Sequence, residues 1–133
     1  MEKEKIPDAR PDTQNNFSIA KRAKSFVHAG RGIRVFLKST HNAWIHIAVF
    51  ILAICLGFYF SISSTEWMFL VFAGGLVLAA EAFNTAIEID IDLTSPEYHP
   101  YARDTKDVAA AAVLISACTA LIIGILIFGH YLF

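Results

Sequence analysis

The chain has 133 residues, 56% of them hydrophobic, with a formal net charge of −1. That length allows a single domain, and that composition excludes an ordinary soluble one, because three long apolar segments hold the excess rather than one buried core. Charge distribution is more informative than net charge: nine of the eleven Lys and Arg residues precede Asn42, and the other two, Arg103 and Lys106, follow the second apolar segment. The bias of positive charge toward cytoplasmic connections then predicts three spans of the plasma (inner) membrane. The N-terminus and second connection lie in the cytoplasm; the first connection, Ser61 to Glu66, and the C-terminus lie outside. The basic N-terminal region adjoins a span, so nucleic acid is not expected as a partner.

Met1 to Asn16 is polar, contains Pro7 and Pro11, and reads as a disordered tail with no signal-peptide pattern. From Phe17 to Ser39, Phe17, Ala20, Ala23, Val27 and Ile33 to Leu37 alternate with Lys21, Arg22, Lys24, Arg31, Arg34 and Lys38. This pattern predicts a basic amphipathic helix in the cytoplasmic interface, with a break expected near Gly30 and Gly32. It can serve as a surface anchor and as a lid whose cations meet phosphates. Ala43 to Phe60 is the first span, with Trp44 as an interfacial aromatic and His46 just inside. Trp67 to Ile89 is the second, carrying the small residues Gly75, Ala79 and Ala86. Leu93 to Asp107, with Pro96 and Pro100, is expected to be a loop. Val108 to Phe128 is the third span, and Ala112, Ser116, Ala120 and Gly124 form a stripe read as a packing face. Cys55 and Cys118 lie inside spans and read as packing residues. Residues 17–133 thus form one all-α membrane domain.

The second half of the second span carries the chemistry. At about 100° per residue, Glu88 falls roughly 20° to one side of Glu81 and Asp92 roughly 20° to the other, with Thr85 and Asn84 flanking them. A rise of 1.5 Å per residue sets Glu81 about 21 Å and Glu88 about 31 Å from Trp67. In a hydrocarbon core of about 30 Å, Glu81 lies inside the cytoplasmic leaflet and Glu88 at its polar boundary. Acids at such depths mark function or a buried pairing. With Lys106, Asp107 and the basic helix nearby, the set suits a Mg-nucleotide: Mg²⁺ takes one or two carboxylates plus phosphate oxygens, and cations offset phosphoryl charge. No Walker loop or Gly-rich kinase loop is present. An ion carrier built on the buried acids is the less fitting alternative.

The residues Glu81-Ala-Phe-Asn84-Thr85-Ala-Ile-Glu88 with Asp92, then Glu97-Tyr98-His99-Pro100, then Lys106-Asp107-Val-Ala, resemble in order and spacing the small prokaryotic integral-membrane lipid kinases. That family comprises diacylglycerol kinases and undecaprenol kinases. Ser25-Phe26, Ala29, Gly32, Asn42 and Ile45-His46 extend the resemblance upstream. It implies a homotrimer of three-span subunits with shared active sites, using ATP and Mg²⁺ to phosphorylate a membrane lipid. Diacylglycerol is the expected substrate by family label, with undecaprenol close beside it. It further implies Glu81 as the general base, Asn84 as a supporting residue and Glu88 as a Mg²⁺ ligand. Asp92, Lys106 and Asp107 correspond to the nucleotide site. One position departs: Thr40 stands where a second metal-binding glutamate is usual, and Trp44 stands where an arginine is frequent. The departure leaves a catalytically impaired, non-enzymatic family member as the alternative reading.

Overall fold

The computed structural model describes residues 19–132, so the expected polar tail and the start of the amphipathic segment at Phe17 lie outside the described residues. Four helices follow one another: α1 (Ile19–Ser39), α2 (His41–Tyr59), α3 (Ser64–Thr94) and α4 (Pro100–Leu132). Each break has a local cause. Thr40 adopts an extended conformation (φ −124°, ψ 112°) that ends α1 and begins α2. Trp44 Nε1 donates to the Leu37 carbonyl at 3.0 Å, closing the last turn of α1 against the first of α2. Satisfying a terminal carbonyl in this way stabilises a helix end.

Between α2 and α3 the chain reverses through Ser61, whose φ of 52° is left-handed. Ser63 and Glu66 then form a reciprocal capping box, with Ser63 N donating to Glu66 Oε2 at 2.7 Å. Tyr131 near the end of α4 donates its hydroxyl to the same oxygen at 3.1 Å. The reversal is thereby tied to the far end of the chain. Beside it sit Ile62, Leu70, Ile127 and Phe128, the main buried apolar cluster. Pro100 opens α4, where its missing N–H costs nothing.

α2, α3 and α4 are long and apolar enough to cross a membrane, and α3 and α4 make the most extensive contact. Because lipid tails are as apolar as leucine, close approach of small residues holds such helices together. Gly74 on α3 is the clearest case: a Cβ there would stand 2.3 Å from the Phe50 ring of α2. Most large apolar side chains, among them Val49, Leu52, Phe72 and Leu121, face outward. Lipid or another copy of the chain is what such surfaces need.

Several expectations change. α1 runs unbroken through Gly30 and Gly32, because neither glycine meets a bend or a close neighbour. The expected Leu93–Asp107 loop shrinks to residues 95–99, since α3 and α4 continue beyond the bilayer-length segments as polar helix. Cys55 and Cys118 are exposed on this chain, not packed inside it. In the small-residue stripe Ser116 is buried, whereas Ala112 is exposed.

Candidate active site

The acidic face of α3 divides into a buried part and a wet part. Glu81 is 2% exposed, and Asn84 and Thr85 are also buried. All three stand on the side of α3 turned toward the other helices, as their shared face predicts. A carboxylate this deep needs a polar partner. His46 of α2 supplies it: Nε2 lies 3.1 Å from Glu81 Oε1, with the His46 side chain 25% exposed. A second link between the same helices runs through hydroxyls. Thr85 Oγ1 donates to the Glu81 carbonyl at 2.9 Å, and Thr40 Oγ1 lies 2.6 Å from Thr85 Oγ1. Thr40 is therefore hydrogen-bonded to Thr85 in this arrangement.

One turn toward the C-terminal end of α3, Asn84 Nδ2 donates to Glu88 Oε1 at 3.0 Å. Asn84 Oδ1 is buried without a hydrogen-bond partner among the described residues. An orphaned buried carbonyl oxygen costs about 1–3 kcal/mol, so such an atom in a native site calls for an absent partner. The same side chain holds Glu88 through Nδ2, and an amide oxygen and a carboxylate are both hard oxygen donors of the type Mg²⁺ prefers. No cluster of three or more His, Cys, Asp or Glu side chains occurs among the described residues. The fit is thus to an ion completed by phosphate oxygens and water, as Mg²⁺ in kinase sites is.

Beyond the bilayer, Lys106 Nζ of α4 pairs with Asp92 Oδ1 of α3. Asp107 is exposed and approaches Arg103 instead, at 4.0 Å, while Arg103 also contacts Asp104 at 3.1 Å. Sequence order put Lys106 and Asp107 together, but adjacent residues on a helix point about 100° apart. The chain therefore brings Asp92 and Lys106 together, joins Asn84 to Glu88, and leaves Asp107 apart from both. A cleft of about 360 Å³ between α1 and α3 is lined by His28, Arg31, Phe36, Thr85, Ala86 and Ile89. His28 and Arg31 of α1 thus line this cleft together with Thr85, Ala86 and Ile89 of α3. The sequence sets His46 just inside the first span and within the family resemblance but gives it no role; a polar side chain inside an apolar helix is the signal that flags it.

The fold and the site together define an all-helical membrane protein with three spans and a buried carboxylate on the middle one. The chain belongs to the prokaryotic diacylglycerol kinase family, whose sequence model matches residues 27–128, and by that membership it is a lipid kinase. It is 42% identical over 105 residues to the undecaprenol kinase of Bacillus subtilis, covering 79% of this chain and 85% of that protein. It is 31% identical over 125 residues to a diacylglycerol kinase of Helicobacter pylori, covering 89% and 94%. With the diacylglycerol kinase of Escherichia coli K12 the identity is 31% over 102 residues, covering 71% and 84%.

Proposed function

We propose that this chain transfers the γ-phosphate of MgATP to the hydroxyl of a membrane lipid, with Glu81 as general base. The observation that carries the reading is the division of labour along α3: a buried carboxylate at Glu81, and Glu88 with an orphaned Asn84 oxygen one to two turns nearer the cytoplasm. A headgroup hydroxyl reaches the first depth from the lipid, and nucleotide phosphates reach the second from water. Glu81 accepts the hydroxyl proton as the lipid oxygen bonds to the γ-phosphorus. The bond from that phosphorus to the bridging oxygen breaks, and its electrons leave with ADP. Asn84 and Glu88 would hold Mg²⁺, which when bound offsets charge on the phosphates. Arg31 on the α1–α3 cleft, and Lys106 beside Asp92, supply the cationic surroundings a triphosphate needs.

The higher identity to an undecaprenol kinase than to the named diacylglycerol kinases favours a polyprenol as first substrate, with diacylglycerol second. The membrane is the inner (plasma) membrane, with α1 and the α3–α4 connection cytoplasmic. The outward-facing apolar surfaces of α2 and α4 support a homotrimer with sites shared between subunits. The test is phosphate transfer from labelled ATP by the purified protein in vesicles containing undecaprenol or diacylglycerol. Label in the lipid phase, dependent on Mg²⁺, is expected; absence of transfer to either alcohol overturns the reading.

A further inference from the structure

We propose that His46 is a positioning residue for the general base, aiming the Glu81 carboxylate at the lipid hydroxyl. The inference rests on the kinase reading above and assigns that site a residue from a different helix. Its starting point is geometric. Glu81 is 2% exposed and His46 Nε2 stands 3.1 Å from one of its two oxygens, Oε1. A base must present one oxygen to the incoming proton in a fixed direction. A carboxylate on a two-methylene stem does not hold that direction by itself. A neutral imidazole donating from Nε2 fixes Oε1 and leaves Oε2 to receive the proton.

The choice of histidine fits this role better than a permanent cation would. A lysine or arginine at this point would form a full ion pair and compete with the substrate proton for the carboxylate. An imidazole supplies a directed donor without adding a charge. Its placement is secured by packing as well. His46 belongs to α2, and the Thr40–Thr85 hydroxyl contact joins the start of that same helix to the turn of α3 that carries Glu81. Two links from α2 to one turn of α3 fix their relative rotation, which determines where Nε2 stands. His46 is also the polar residue lining an otherwise apolar groove of about 570 Å³ between α2, α3 and α4. No other side chain along that groove can take over a donor's task.

The experiment compares the full-length protein with His46→Leu and His46→Gln in vesicles, using the lipid alcohol that the unsubstituted protein phosphorylates. Absence of activity in the unsubstituted protein would end the kinase reading itself and so is separate from this question. His46→Leu should lower kcat roughly 10- to 100-fold, the scale of misplaced catalytic groups. The KM for MgATP should stay within about twofold, because the nucleotide groups lie elsewhere. His46→Gln, whose amide can donate to Oε1, should recover most of the lost kcat. His46→Ala should regain rate on addition of free imidazole. Unchanged kcat in His46→Leu overturns the proposal, as does a glutamine variant as slow as the leucine one with no imidazole rescue. MgATP binding by each variant reports folding independently of turnover, so a collapsed protein is recognised as such and the conclusion passes to the glutamine and imidazole results.

Discussion

At the scale of residues, the proposed mechanism assigns a proton task to Glu81 and a metal task to Glu88 on one helix face. Glu81→Gln keeps shape and removes the base, so kcat should fall about 100-fold or more while MgATP affinity holds. Glu88→Gln should instead weaken MgATP affinity and raise the Mg²⁺ requirement. Steady-state kinetics with Mg²⁺ titration separate the two; one shared modest defect would contradict the division. Thr40 gives a third expectation. Its hydroxyl is bonded to Thr85, one turn from Glu88. Thr40→Glu gives up that contact, a loss of about 1 kcal/mol, and adds a carboxylate near the metal position. Half-maximal activity should then require less Mg²⁺; an identical Mg²⁺ profile would mean that the neutral residue costs nothing. Glu81, Asn84 and Glu88 could be found in the sequence because helical periodicity brings residues three and four apart onto one face. The contacts of Glu81 with His46 and of Thr85 with Thr40 could not. They depend on how α2 is rotated against α3, and an apolar pattern in lipid leaves that rotation open.

At the scale of elements, hydropathy located the three spans because each had to supply roughly 17–25 predominantly apolar residues. The helices outrun those spans, since α3 and α4 carry on as polar helix where hydropathy falls: Thr94 and Pro100 are the helix boundaries. The break expected at Gly30 and Gly32 does not occur, because a glycine permits a bend without requiring one. The approach of α2 to α3 rests instead on Gly74. Gly74→Ala puts a methyl group into the space of the Phe50 ring. It should destabilise the fold by about 1–3 kcal/mol, the usual range for overpacking. Thermal unfolding in detergent measures this, and adding Phe50→Ala should restore part of the loss. If the double variant were worse than the sum of the singles, another contact would have to set the helix spacing.

At the scale of the whole molecule, the chain places Asp92 and Lys106 beside one another but leaves them without a bond to Glu88 among the described residues. On the homotrimer proposed above, sites completed across subunits would account for that gap. Mixed assemblies of Glu81→Gln and Lys106→Ala chains should then regain activity that neither parent has, reaching a fraction set by random mixing. Failure to regain any would confine each site to one chain.

α3 also has a mechanical property. It is one uninterrupted helix of 31 residues, about 46 Å long. From its cap at Ser63 to its end at Thr94, the spacing of Glu81, Asn84 and Glu88 is that of a rigid ruler standing across the bilayer. Such a ruler cannot bring Glu81 to a hydroxyl by bending; it can only rise, sink or tilt as a whole. Its depth follows the thickness of the surrounding hydrocarbon, at a modest cost per ångström of mismatch. Turnover should therefore pass through a maximum as vesicle acyl chains are lengthened from 14 to about 22 carbons, with kcat changing more than the KM for MgATP. A flat response would mean that the lipid hydroxyl, and not the helix, adjusts its height.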